Sequence, residues 1–316
     1  MKRKQSGLRI MSRLIVLVKP LSGFMCLAVL LGVLGFLCAI QITVAGSLTL
    51  LTAAKISGGT AIKTGCVCII IFAVLRGFLH YGEQACNHYI AFKLLALIRD
   101  KVFKAMRRLS PAKLEGKDKG NLVSVITSDI ELLEVFYAHT ISPICIAILT
   151  CLIMLIFIGR YSIWLSLVAL AAYITVGAVI PLVSSRVNKN AGMTYRDGSG
   201  ALSGFVLDSM RGLLESIRYN STDKRLEEMD KKTDELNSLQ DRLKRIEGHT
   251  GAVTDITIIF FSAAMLLTGI ALCQKGIVGF DGMIVATVSM MSSFGPVAAL
   301  SGLAGNLTHT LAAGER

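Results

Sequence analysis

The chain has 316 residues, a formal charge of +12, 53% hydrophobic residues and only 17% charged ones. That balance, with a positive mean hydropathy, excludes an ordinary soluble domain and describes an integral membrane protein. The basic excess also raises a nucleic-acid partner, which is set aside because the excess sits mainly at the N-terminus, where it anchors the first apolar run.

In chain order, residues 1–20 combine Lys2, Arg3, Lys4, Arg9, Arg13 and Lys19 with Ile10, Met11, Leu14, Ile15 and Val18 on one helical face, ended by Pro20. The pattern predicts a helix lying in the membrane interface. A secretory signal is disfavoured: the run after Pro20 is longer than a signal core and carries no clean small-residue cleavage pattern. Apolar runs long enough to span follow at about 21–45, 61–81, 141–158, 163–183, 253–272 and 283–303. Six spans define an all-α polytopic membrane protein. Only Gly159, Arg160, Tyr161 and Ser162 separate the third span from the fourth, which predicts a tight helical hairpin.

The second span carries Arg76, His80 and Glu83 at i, i+4 and i+7, on one helical face. Charges at membrane depth normally face a cavity or a partner, so this face either lines a cavity or closes on itself as an Arg–Glu cluster. Arg76 is expected about 11 residues, roughly 16 Å of helix, from the outer end of its span, near the midplane of a core about 30 Å thick. A guanidinium there needs water, an acid or an anionic substrate, and its fork suits a carboxylate. Glu83 is expected to hold Arg76 in the empty state, with His80 between them. Asp255, a few residues into the fifth span, faces either a translocation path or a pairing partner at the inner interface. Gly295-Pro296 predicts a bend in the sixth span.

Two long polar intervals interrupt the spans. Leu95, Ile98, Val102, Met106 and Leu109 continue the second helix to Ser110-Pro111, Lys113 to Gly120 form a charged turn, and Leu122, Ile126, Ile130 and Leu133 climb back. From about Ser184 to Thr250, a stripe of Leu202, Val206, Met210, Leu213, Leu214 and Ile217 gives way to the cap-prone run Asn220, Ser221, Thr222, Asp223. It resumes at Leu226, Met229, Leu236, Leu243 and Ile246. Glu227–Lys231, Glu228–Lys232 and Asp241–Arg245 are acid-first pairs spaced to support an exposed helix. A helix from near Asp223 to near Leu272 would be roughly 75 Å long, and so would project far beyond a bilayer. Two such arms, at about 93–139 and 184–250, suit a membrane domain driven by a soluble motor.

The residues Gly120-Asn121-Leu122-Val123-Ser124-Val125-Ile126-Thr127-Ser128-Asp129-Ile130 closely resemble the first cytoplasmic-loop signature of ABC exporter transmembrane domains. Asn121 replaces the usual acid and Val125 a common basic residue. Gly204 to Asn220 resembles the second coupling segment, and the order of spans and arms is similar to the same domain over essentially the whole chain. Ser128 to Pro143 and Phe294 to Arg316 look most like the bacterial thiol-exporter subfamily linked to cytochrome bd assembly. The resemblance implies a six-helix domain over 21–310 that works as a homo- or heterodimer in the bacterial cytoplasmic membrane. It implies coupling to the motor through Lys113, Leu114, Gly120, Asp129, Glu215, Ile217 and Tyr219, and a central cavity at the depth of Arg76.

It also implies a nucleotide-binding domain, in the same polypeptide or separately encoded, which would carry ATP and magnesium. Residues 311–316 resemble the entry to its linker. This chain holds no phosphate-cradling Gly-x-x-x-x-Gly-Lys-Ser/Thr; Gly58 to Thr64 lacks the glycine before the lysine. No catalytic residue, ATPase activity or resident cofactor is therefore expected of these 316 residues alone. No metal site is expected either: the eight cysteines form no Cys-x-x-Cys pair, Cys66 and Cys68 coming nearest, and His80, His88, His139, His249 and His309 are scattered. The expected function is the permease domain of an ATP-driven exporter of a small, carboxylate-bearing solute such as an amino acid, a peptide or a thiol. A non-transport scaffold or sensor using the same arms is the alternative; a passive channel ranks lower because no pore-like ring is visible.

Only Lys55, Lys63, Arg160 and Lys275 fall on the side opposite the basic intervals, so the positive-inside rule puts both termini and both arms in the cytoplasm. In intact cells a membrane-impermeant thiol reagent is expected to reach Lys55→Cys, Arg160→Cys and Lys275→Cys. It should reach Lys117→Cys and Lys232→Cys only after permeabilisation; labelling of Lys232→Cys from outside would invert the topology.

Overall fold

The computed structural model describes residues 19–55, 61–109 and 140–300, and every described element is helical. After a single 3₁₀ turn at Lys19–Leu21 come α1 (Ser22–Ala53), α2 (Ile62–Leu109), α3 (Ser142–Gly159) and α4 (Ile163–Ile174). A five-residue π turn, Thr175–Val179, leads into α5 (Ile180–Arg211). There follow α6 (Leu213–Arg218), α7 (Thr222–Gln274) and α8 (Phe280–Ser292). Among the described residues, six helical stretches are long and apolar enough to cross a bilayer. The predicted interfacial helix at 1–20, the turn at Lys113–Gly120 and the segment 311–316 lie outside the described residues, apart from Lys19 and Pro20.

The helices continue well past the apolar runs. Nothing between Tyr81 and Leu109 breaks α2, and α7 is one hydrogen-bonded rod of 53 residues, roughly 80 Å long. The short connections are built from local rules. Ser162 caps α4 by accepting the Trp164 N–H at 3.3 Å, while the Ser166 hydroxyl donates to the Leu155 carbonyl at 3.0 Å, fastening the hairpin. At the end of α7, Gly276 has φ +70° and Ile277 N–H returns to Leu272 C=O at 3.0 Å, a Schellman closure.

The main core gathers Ile40 and Val44 of α1, Met154 and Ile158 of α3, Leu165 and Ala169 of α4, Met265 of α7 and Met290 of α8. α2 stands apart, packed principally on α1. Small residues allow that contact: a Cβ at Gly65 would overlap the Thr49 side chain, and one at Gly32 would overlap Ile146 and lie 3.2 Å from the Glu83 carboxyl carbon. Beyond this contact, Leu21 of the 3₁₀ turn and Ala28 of α1 bury Ile90, Leu94 and Ile98 of α2 in a second cluster.

Two irregularities face each other across the core. The π turn precedes Pro181, which has no N–H for the helical ladder. In the sixth span the helix stops at Ser292 and resumes at Phe294, so the break falls before Gly295-Pro296 and leaves Pro296 in a first turn, where its missing donor is harmless. Tyr173 bridges the two: its hydroxyl is hydrogen-bonded to Ser293 and its ring meets Phe294 edge-on at 5.7 Å. Gly177 lies so close that a Cβ there would come within 2.9 Å of Val297. Tyr173→Phe keeps the ring contact and is expected to lose about 1 kcal/mol. Tyr173→Ala should lose about 3–5 kcal/mol, and thermal denaturation of the detergent-solubilised protein should rank the variants in that order.

Candidate functional site

The polar face of α2 is laid out by helical spacing. Arg76, His80 and Glu83 continue to Asn87, and the same face then turns apolar at Ile90 and Leu94. Glu83 and Asn87 are 6% and 3% exposed; the His80 side chain is 65% exposed. The Glu83 carboxylate is held from both sides, with His80 Nδ1 at 3.2 Å from Oε2 and Asn87 Nδ2 donating to Oε1 at 3.4 Å. Asn87 Oδ1 has no partner among the described residues, a penalty of about 1–3 kcal/mol accepted to keep the amide on Glu83.

Arg76 is exposed and makes no ion pair or hydrogen bond with any described residue. The expected Arg76–Glu83 contact is therefore absent: histidine and asparagine already satisfy the acid, and both are nearer along the helix. α2 begins at Ile62, so Arg76 lies about 14 residues, roughly 21 Å, from that end of the helix. Sequence reading missed Asn87, although its spacing of four from Glu83 extends the series 76, 80, 83.

Asp255 does not join this group. It is exposed on α7, beside buried Thr254, with no partner among the described residues; the pairing considered for it is not formed there. No set of three or more metal-ligating side chains occurs among the described residues.

The second candidate region is the tip of the α5–α7 arm. α5 and α7 run side by side from the Ser184–Thr250 hydroxyl pair, 2.9 Å apart, to the tip. Along the way Gly198 admits Leu236 and Leu239, and the Phe205 ring lies beneath both Arg225 and Lys232. Of the three acid-first pairs only Glu228–Lys232 closes, at 3.7 Å; pairs so exposed gain too little to hold long side chains in place.

At the tip, α5 breaks at Gly212 and α6 ends in a Schellman closure. Asn220 takes the left-handed conformation, φ +51°, and Ser221 N–H returns to Ser216 C=O at 2.9 Å. The run 220–223 thus ends α6 more than it starts α7: Ser221 makes no side-chain cap and donates its hydroxyl to Ser216 C=O. The turn presents Met210, Leu213, Leu214, Ile217 and Tyr219, with Leu214 and Tyr219 nearly four-fifths exposed, beside exposed Glu215. These side chains form an exposed apolar patch on an otherwise polar arm. Lys113, Leu114, Gly120 and Asp129 lie outside the described residues.

Six candidate spans among the described residues and a helical arm that continues past them define a polytopic helical membrane domain. The chain belongs to the ABC transporter transmembrane region family, whose model matches residues 21–297. It is 42% identical over 313 residues to the "Probable ABC transporter ATP-binding/permease protein" of Haemophilus influenzae, covering 99% of this chain and 57% of that protein. The glutathione/L-cysteine transport system ATP-binding/permease protein CydC of the same organism is 22% identical, over 62% of this chain and 33% of its own length. An ATP-dependent lipid A-core flippase of Shewanella frigidimarina is 29% identical, over 39% and 20%. The chain thus spans little more than half the length of the first relative and less of the others.

Proposed function

We propose that the chain is the membrane half of an ATP-driven exporter that moves a small carboxylate-bearing solute, an amino acid, a short peptide or a low-mass thiol, out of the bacterial cytoplasm by alternating access. Two such domains face each other around a central path. Motor domains, fused or separately encoded, carry ATP and magnesium; their closure pushes the arm tips, and the helices rock from inward-open to outward-open. Asp255 borders that path, and lipid covers the outer apolar faces.

One observation carries the substrate class: Arg76, on a helix long and apolar enough to span, has no partner among the described residues, while the acid on its face, Glu83, is held by His80 and Asn87. A guanidinium so placed is costly unless it meets water or an anion, and its planar fork matches a carboxylate. The distant relatives named for glutathione and L-cysteine support a small solute; those named as lipid A-core flippases support a different one, and the arginine on the polar face of α2 favours the first.

The complete transporter in nanodiscs is the test. Arg76→Gln is expected to abolish ATPase stimulation by glutathione and L-cysteine while basal hydrolysis and folding persist. Unchanged stimulation would remove Arg76 from the site, and failure to fold would make it structural.

The tip gives a separate expectation. Tyr219→Ala and Glu215→Ala should lower transport per ATP at least several-fold with hydrolysis retained; an unchanged ratio would show that this turn does not transmit the motor's movement.

A further inference from the structure

Burial leaves four side-chain polar atoms without a hydrogen-bond partner among the described residues, and two of them fall at one place in the fold. These are Asn87 Oδ1 on α2 and the Ser142 hydroxyl at the start of α3, on residues that are 3% and 0% exposed. Packing fixes their common level from both sides. On one side, a Cβ at Gly32 of α1 would meet both Ile146 of α3 and the Glu83 carboxyl of α2, so the three helices converge there. On the other, Ala28 of α1, Ile90 of α2 and Ile141, just before α3, share one apolar cluster. Asn87 lies between Glu83 and Ile90, and Ser142 lies between Ile141 and Ile146. Each also stands four residues from its helix's member of the first contact, and so on the same face. One layer between the helices therefore holds an unpartnered amide oxygen from α2 and an unpartnered hydroxyl from α3.

The chain itself does not satisfy this layer. From Ala28 to Gly32, α1 reads Ala-Val-Leu-Leu-Gly and brings no polar side chain. One end of the Asn87 amide is already on Glu83, its Nδ2 donating to Oε1 at 3.4 Å, so the other end is left over. A carbonyl oxygen only accepts, whereas a serine hydroxyl donates or accepts. The group that joins them must donate at one end and do either at the other, across a gap too wide for a direct bond. Water does both, and buried polar atoms that lack a protein partner are where ordered water sits in protein interiors. A cation fits less well. It needs more oxygens than two neutral ones, and the Glu83 carboxyl beside them is covered by His80 and the Asn87 amide.

We propose that this layer is a binding site for a single water molecule, which donates to Asn87 Oδ1, shares a hydrogen bond with Ser142 Oγ and so ties α2 to α3. The inference rests on burial and packing alone and stands or falls apart from the reading of Arg76. α2 is packed principally on α1, so the water sets the position of its polar face relative to the third span. A bridging water serves nearly as well as a direct hydrogen bond, and it re-forms after a small slide of one helix past the other.

The test combines cryo-electron microscopy of the complete transporter in nanodiscs, at about 2 Å, with thermal unfolding of Ser142→Ala, Asn87→Leu and the double variant. The wild-type map is expected to show a peak about 2.7–3.2 Å from both Asn87 and Ser142, and the double variant should lack it. Ser142→Ala should lower the apparent Tm by about 1–3 °C, because it takes a partner from the water. Without the water the sign reverses, since deleting an unpartnered buried hydroxyl leaves stability unchanged or raises it. Asn87→Leu also loses the bond to Glu83, yet the double variant should lose less than the two single shifts added together, because the residues share one partner. Absence of the peak, additive shifts, or a Ser142→Ala protein as stable as the wild type each overturns the inference. A peak ringed by several oxygens at about 2.3–2.6 Å makes the occupant a cation and overturns it too. If Asn87→Leu does not fold, the map and Ser142→Ala decide the matter between them.

Discussion

In hydrocarbon a backbone N–H or C=O has no water to turn to, so each helix crossing a membrane must keep its own ladder closed or hand the loose end to a neighbour. Among the described residues, two departures from the ladder lie in the membrane half, at the π turn before Pro181 and at Ser293. The π turn before Pro181 stays within a continuous helix, and the break at Ser293 uses Ser293 N–H to reach the carbonyls of Ser289 and Met290. Tyr173 then spans the gap between the two irregular stretches. The remaining rods are free to be long and regular, and their length puts an apolar tip far from the bilayer.

Much of this architecture is legible from periodicity. Apolar runs of about twenty residues, the four-residue hairpin at Gly159–Ser162 and the near-heptad stripe of α7 each correspond to a helix or turn in the structure. What pattern does not convey is how one end hands over to the next. Asn220 and Ser221 are common at helix starts and common at helix ends; only the backbone shows that Asn220 adopts the left-handed turn that closes α6. Similarly, Gly295-Pro296 signals a discontinuity, but the break falls at Ser293, the residue that meets Tyr173 from 120 residues earlier in the chain.

The polar face of α2 shows the same division between pattern and packing. Spacing puts Arg76, His80 and Glu83 in line, yet it cannot rank the partners available to an acid. Burial against Gly32 does: it takes Glu83 out of water, where the nearest donors win, and these are His80 and Asn87. Arg76 is left outside that arrangement. Asn87 is unremarkable in sequence, one amide where a polar stretch gives way to an apolar one, and its meaning comes from standing 3.4 Å from a buried carboxylate.

The continuity of α7 has a mechanical consequence. Between Thr250, where it is fastened to Ser184, and its first residue, Thr222, lie about 28 residues, a rod of roughly 42 Å in which a tilt of about 5° at the fastened end sweeps the free end through roughly 4 Å. Under the proposed mechanism the α5–α7 pair acts as a lever with its fulcrum near the hydroxyl pair. It exchanges a small rotation among packed helices for a displacement as large as an atom's diameter at the far end. Worked in reverse, the same ratio reduces a coarse push at the tip to a finely graded rotation within the membrane.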